Sequence, residues 1–360
     1  MDHCYTRTPP LSALGAQLAE KVKSWHWIEY CPACEAKTIA RFATVRQFSH
    51  SRCTSCGFTF VNPIPDEQAL HDFYNSEFYA NYRRLEERRI ARGEYFSASM
   101  YTDMRRLADW IITDGSISIL DYGCGPGAFL AFLRDKCGMQ NVEGIEINRD
   151  SIQIGKQYFN LNIVTRRDEL KQTAYDCVLL LEVIEHVPLP DRFFREVAGL
   201  VKPGGKILIT TPAVDNLLGM FLPRQCQHYT APSHVSLFTK KAVERLMSRF
   251  GFAVERIELD DSVEIIEKAV LSLFYRLDFA SPMGDSDRSD SMYVPTALGQ
   301  LVGRKSRRQI PRCRLPFGMM DGVLRRAVKR SKSVPRNNHL YVIGKKCLKP
   351  TTSDDRLSIL

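Results

Sequence analysis

In the stretch "LLLEVIEHVPLP", Glu182, Glu185 and His186 follow directly on a run of aliphatic residues. Two carboxylates and an imidazole so close together can take up a proton, orient a hydroxyl or hold a divalent ion. They equally suit a helix start, as packing and capping residues. A second set is built from cysteine: "CPAC" and "CTSC" carry Cys31, Cys34, Cys53 and Cys56, with eighteen residues between the two pairs. That spacing is the one expected of a tetrahedral zinc site. Four thiolates fill the shell and leave no open position, so the expected ion is structural. A third set is glycine. In "SILDYGCGPGAFLAFL", Gly123, Gly125 and Gly127 sit between a strand and a helix, where a missing Cβ lets backbone approach a ligand closely.

The glycine spacing leaves the ligand open, because Gly123 to Ala128 also satisfies the G-x-G-x-x-G/A dinucleotide pattern. Two carboxylates favour S-adenosylmethionine. Asp121 ends the preceding strand, where it can hold an ammonium group and would repel a pyrophosphate. Glu146 ends the next strand, twenty-three residues beyond Gly123, and is placed to accept from both hydroxyls of a ribose.

Strands and helices alternate around these residues. "SISIL", "NVEGIEI", "CVLLL" and "KILITT" read as strands, and "AFLAFLRDKCG", "PDRFFREVAGLVKPGG" and "TKKAVERLMSRFGF" as helices. Asp66, Asp191 and Thr239 are the expected N-caps, and Gly204 and Gly251 the expected stops. The alternation predicts an α/β fold: a Rossmann-like, seven-stranded, mostly parallel sheet with helices on both faces, plus a small N-terminal zinc ribbon. The expected divisions are a ribbon at 26–62, a helical connector at 63–97, a cofactor-binding core at 98–261, a basic helical insertion at 262–337 and a final core strand at 338–348. In such a sheet the ligand lies beyond the carboxyl ends of the strands. Glu182, Glu185 and His186 should therefore share that rim, with His228, Tyr229 and His234 of "QCQHYTAPSHVSLF" beside them.

Net charge is +9, and twelve lysines and arginines against one acid between Arg304 and Arg336 exceed it. Such a segment can meet phosphates of a lipid surface, a nucleic acid or a nucleotide-linked substrate. No apolar run is long enough to span a bilayer, and the first residues carry no basic-then-apolar leader pattern, so a cytoplasmic protein is expected.

Five segments together carry a specific likeness: "LDYGCGPG", "GIEIN", "YDCVLLLEVIEHV", "LVKPGGKILITTP" and "HVSLFTKKAVERLMSRFGF". In this order they resemble the class I S-adenosylmethionine-dependent methyltransferases. The cysteine knuckles followed by "NPIPDEQALHDFYNSEFY" are similar to methyltransferases of bacterial sugar and polysaccharide pathways. "EVIEH" with a later histidine before "LFTKK" resembles the ubiquinone-pathway O-methyltransferases. The likeness implies that Asp121, Gly123, Gly125 and Gly127 hold the methionine end of the cofactor, and Glu146 the ribose. Asp168 would face the adenine, and Leu181 would line the methyl site. It also implies a catalytic set of His186, Glu182, Glu185 and His234, which can serve as base and orienting groups or as ligands of a divalent ion. The implied acceptor is a hydroxyl or carbon of a sugar, glycan or lipid-linked small molecule. The basic insertion would then grip an anionic membrane surface, which puts the protein at its inner face. The rival reading is an RNA methyltransferase that holds nucleic acid with its ribbon and basic segment.

Overall fold

The computed structural model describes residues 25–93, 98–224, 226–259 and 339–348. The first strands, β1 (Ile39–Val45), β2 (Phe48–Cys53) and β3 (Thr59–Val61), form an antiparallel meander. Two helices follow, α1 (Glu67–Tyr74) and α2 (Glu77–Ala91). Asp66 caps α1 as expected, accepting from the amide of Ala69 at 2.7 Å.

The core then runs α3 (Ala98–Ile111), β4 (Ile119–Tyr122), α4 (Ala128–Cys137), β5 (Val142–Ile145), α5 (Arg149–Phe159), β6 (Ile163–Val164), β7 (Tyr175–Leu181), α6 (Pro190–Gly199), β8 (Val201–Pro212), α7 (Leu217–Phe221), β9 (Ser236–Leu237), α8 (Lys240–Arg249), β10 (Phe252–Leu259) and β11 (His339–Lys346). Seven strands make one sheet in the order β10-β11-β8-β7-β4-β5-β6. The β8-β7-β4-β5-β6 pairs are parallel, and β11 is antiparallel to both of its neighbours. The mostly parallel sheet expected from the alternation is therefore present.

Central strands read as unbroken aliphatic runs because both of their faces are covered. Leu120, Val178, Leu180, Ile207 and Ile209 belong to one cluster, with Phe194 and Val197 of α6 and Leu246 of α8. Ile119, Leu179 and Leu208 belong to the cluster on the opposite face, with Ala108 of α3 and Phe132 of α4.

Two local expectations change. Pro190 takes the first helical position of α6, so Asp191 lies in the first turn and the cap residue is Leu189. The helix ends at Gly199, and "VKPGG" belongs to β8, whose Val201 pairs with Tyr175 of β7. Gly204 thus supplies a left-handed kink (φ 76°) inside a strand and does not stop a helix.

The cysteine module is not a free appendage. β3 pairs with β9, Thr59 opposite Leu237 and Phe60 opposite Ser236. Cys31, Cys53, Cys56, Phe58 and Phe60 share a single buried cluster with Phe238, Phe194 and Leu246. Thr239, the cap of α8, donates to the carbonyl of Cys56 at 2.6 Å, and Arg249 donates to the carbonyls of Pro32 and Ala33. The expected basic insertion falls on residues outside the described set. No helix among the described residues is long and apolar enough to cross a membrane.

Candidate active site

The glycine turn joins β4 to α4 at the carboxyl edge of the sheet. Gly123 and Gly127 both adopt φ 78°, a conformation that L side chains rarely take. A Cβ on Gly123 would stand 2.8 Å from a methyl of Val183, and one on Gly127 2.5 Å from a methyl of Leu161, so a side chain at either would displace that neighbour on top of the strain of the positive φ. Below the turn lies Asp121, only 2% exposed. Its Oδ1 is buried without a hydrogen-bond partner. Burial, and then the nearby Glu146 carboxylate, pushes the Asp121 carboxyl up to about 7.

Glu146 organises the turn from the next strand. One of its oxygens accepts from the amide of Gly125 at 2.9 Å, the other from the amide of Asn148 at 2.8 Å. Each carboxylate oxygen keeps a further lone pair. Leu181 stands at the end of β7, half-buried. Asp168 lies on an exposed turn, where its carboxylate receives two hydrogen bonds from Arg166, at 2.9 and 2.7 Å.

The acid-histidine stretch is brought to the same rim, though not as one helical turn. Residues Ile184–His186 form a single 3-10 turn, and Glu182 before it takes a left-handed φ of 57°. Its carboxylate is held by β8 and β11: Thr210 donates to it at 2.8 Å, and the His339 ring lies 2.9 Å from it. Burial would raise this carboxyl, but His339 and Thr210 hold it below the usual range.

Glu185, His186 and His234 are the residues that converge. One ligand atom from each lies within 4.8 Å of the others. Glu185 is 1% exposed, with one oxygen accepting from Thr211 at 3.0 Å and the other unpartnered. Burial, then the charge of Glu182, pushes it well above the carboxylate range. His186 Nδ1 lies 2.8 Å from the carbonyl of Ser233, and His234 Nδ1 lies 3.1 Å from the carbonyl of His228. A carbonyl only accepts, so both Nδ1 atoms carry the proton and both Nε2 atoms present lone pairs. Burial lowers the basicity of both rings, that of His234 to about 3 with His186 adding to the effect. Two neutral imidazoles, each tied back through Nδ1, beside an unpartnered carboxylate oxygen form a donor set suited to a divalent ion.

Of the other rim residues expected to face substrate, Tyr229 is fully buried and donates to the carbonyl of Gly219 at 2.9 Å, which makes it a packing residue. His228 is 5% exposed, and its ring lies against that of His339. Sequence reasoning missed His339. Nothing near it in the chain marks it; the antiparallel course of β11 brings its first residue, opposite Pro212, to the rim. The helical connector was expected, but not that its side chains reach the rim. Arg83 of α2 lies 3.8 Å from the position of a Cβ on Gly125, and Tyr74 of α1 lies edge-on to His186. The run of tyrosine and arginine in "FYNSEFYANYRR" was the available signal.

In the cysteine module, the Sγ atoms of Cys31 and Cys56 are 3.6 Å apart, as are those of Cys34 and Cys53. All four sulfurs lie within 4.8 Å of one another. A tetrahedron with metal–sulfur bonds of about 2.3 Å has edges of about 3.8 Å, so these cysteines need little movement to hold one ion.

The sheet order, the glycine turn, Asp121 beneath it and Glu146 on the next strand point to one class. Residues 88–257 match the family model described as a methyltransferase domain. The match supports a class I S-adenosylmethionine-dependent methyltransferase domain over these residues. Among curated proteins it is similar to the ubiquinone biosynthesis O-methyltransferase of Coxiella burnetii, strain Dugway 5J108-111, with 31% identity over 26% of this chain and 42% of that one. The enzyme of the same name from Aeromonas salmonicida is 33% identical over 29% of this chain and 48% of that one. The matches thus span less than half the length of these relatives. Among solved structures, Haemonchus contortus phosphoethanolamine N-methyltransferase 2 aligns with 80% of this chain and 62% of that one, at 15% identity and a TM-score of 0.47.

Proposed function

We propose that the protein transfers the methyl group of S-adenosylmethionine to a hydroxyl of a small molecule seated against Glu185, His186 and His234. The observation that carries this reading is the buried, unpartnered oxygen of Asp121 under the glycine turn. A carboxylate there lacks a cation, and the ammonium of the cofactor supplies one. Glu146 accepts from the ribose hydroxyls with its remaining lone pairs, Leu181 borders the methyl group, and Asp168 approaches the adenine side. The methyl group leaves the sulfonium as the acceptor oxygen bonds to it, so the protein's task is chiefly to align the two and to let the hydroxyl lose its proton.

Glu185, His186 and His234 would hold a divalent ion, and Glu182 would support them from its bonds to Thr210 and His339. Such an ion supplies Lewis acidity that lowers the pKa of the acceptor hydroxyl. His186 keeps 31% of its side chain exposed, so the acceptor enters and the proton leaves on that side. The four cysteines hold zinc as a structural ion. The ubiquinone-pathway relatives support a small-molecule acceptor; a sugar, glycan or lipid-linked molecule is the narrower proposal, from the likeness of the knuckle segment.

The test follows the methyl group. With methyl-labelled S-adenosylmethionine and an extract separated into small-molecule and RNA fractions, label should enter the small molecules. His186→Ala should cut that transfer by about 100-fold while S-adenosylhomocysteine still binds. Label recovered in RNA alone would overturn the acceptor class. For the ion, His234→Ala should weaken Mn2+ binding, followed by electron paramagnetic resonance, by about tenfold or more.

Asp121 also sets a pH dependence. The ligand's ammonium pairs with the ionised carboxylate, so binding pulls a group that titrates near 7 downwards and expels its proton. Affinity for S-adenosylhomocysteine is therefore full above pH 8 and falls as the pH drops through 7, by about tenfold or more at pH 5.5. Asp121→Asn should bind weakly at every pH and lose this dependence.

A further inference from the structure

Both imidazoles of the centre are oriented by one loop. Nδ1 of His186 meets the carbonyl of Ser233 at 2.8 Å, and Nδ1 of His234 meets the carbonyl of His228 at 3.1 Å. The amide of Ser233 donates in turn to the carbonyl of Thr230 at 3.0 Å. The placing of residues 228–234 therefore decides where the two Nε2 lone pairs point. A carbonyl behind an imidazole governs how well that ring serves as a ligand.

The loop is itself held by the cysteine module, through Arg52 of β2. Arg52 Nε donates to the hydroxyl of Thr59 at 2.9 Å, and Nη1 to the carbonyl of Met220 in α7 at 3.2 Å. Nη2 donates to the carbonyl of Gly219 at 2.7 Å and to the Tyr229 hydroxyl at 3.2 Å. The guanidinium carbon stands 3.6 Å from the centre of the Phe42 ring. All these partners are neutral, so Arg52 serves by its geometry, as a rigid fork that a flexible ammonium cannot replace.

Tyr229 carries the restraint onward. Its hydroxyl accepts from Arg52 and donates to Gly219 at 2.9 Å, and its buried ring meets that of His50, also in β2, at 5.2 Å. The carbonyl that orients His234 belongs to the peptide group joining His228 to Tyr229. Arg52 thus reaches His234 through one phenol and one peptide group.

We propose that Arg52 is a positioning residue for the ion centre: by fixing Tyr229 it sets the carbonyl that orients His234, and with it the affinity of the centre for a divalent cation. The inference rests on the reading of Glu185, His186 and His234 as ligands and deepens it, because the cysteine module then has a task at the rim besides holding its own ion. The hydrogen bonds of Glu146 run to Gly125 and Asn148, outside this network, so cofactor binding is independent of Arg52.

The test titrates Mn2+ into the full-length protein, followed by electron paramagnetic resonance, with His234→Ala marking the signal of the rim site. Arg52→Met keeps the stem and removes the fork. It should weaken Mn2+ by about tenfold, as the loss of a partner behind a metal ligand does. Arg52→Lys should recover part of that loss, and Tyr229→Phe should lose about threefold. Zinc content should be unchanged in all three, and S-adenosylhomocysteine affinity within twofold. Mn2+ affinity equal in Arg52→Met and the wild type would overturn the proposal. If Arg52→Met loses zinc and cofactor as well, Tyr229→Phe decides, and an unchanged Mn2+ affinity there overturns it. Hydrogen exchange separates the two layers of the argument. The amides of Ser233 and Val235 should exchange about tenfold faster in Arg52→Met. Equal rates would sink the role of Arg52 alone, whereas a wild type that binds no Mn2+ would sink the ion reading.

Discussion

Replacing Glu146 by alanine is expected to weaken S-adenosylhomocysteine binding by about 100-fold or more. The ribose would lose the two charge-assisted hydrogen bonds proposed for this carboxylate, each worth about 1.5–3 kcal/mol. The same change frees the amides of Gly125 and Asn148, which Glu146 holds at 2.9 and 2.8 Å, so the glycine turn loosens as the ribose loses its partner. Glu146→Gln keeps the shape and one acceptor but not the charge, and should fall between the two. Calorimetric titration checks the series. An alanine variant that binds within threefold of the wild type would remove Glu146 from the site.

The second large effect concerns stability. With zinc held by the four cysteines as proposed, Cys53→Ser should release it and lower the unfolding midpoint by about 10 °C or more. A structural zinc contributes several kcal/mol to its module, and each kcal/mol is worth about 2–4 °C in a domain of this size. The loss should not stay local. Cys53 lies in one cluster with Phe58, Phe194, Phe238 and Leu246, and β3 pairs with β9 just before α8. The rim should suffer as well, because the amide of Val235, next to His234, donates to the carbonyl of Glu185 at 2.9 Å, and the carbonyl of Val235 accepts from Val61 of β3 at the same distance. Scanning calorimetry with metal analysis reads both quantities. A variant that keeps its zinc, or that loses zinc with an unchanged midpoint, would contradict the shared core.

What could be read in the sequence follows from which signals are local. The sheet was legible because buried parallel strands must be aliphatic throughout, as in "CVLLL" and "KILITT". Glycine positions such as Gly123 and Gly127 were legible because their backbone conformation and the lack of room for a Cβ both demand them. The cysteine spacing is equally local, and the four sulfurs meet. The centre was only partly legible. Glu185 and His186 adjoin in the chain, and His234 joins them through hydrogen bonds to backbone carbonyls that no pattern reveals. Glu182 stands beside them with a left-handed backbone, and its partner His339, more than 150 positions away in sequence, could not be read from the pattern. His339 was invisible because it reaches the rim by strand order alone, and Tyr74, which arrives by helix packing, was marked only by the tyrosine-rich run around it.

The most direct test of the account is to titrate S-adenosylhomocysteine into the wild-type protein at pH 8 in a calorimeter. One site per chain is predicted, with a dissociation constant in the micromolar range, about −8 kcal/mol. No binding at millimolar ligand would contradict the assignment of Asp121, Glu146 and the glycine turn to this cofactor.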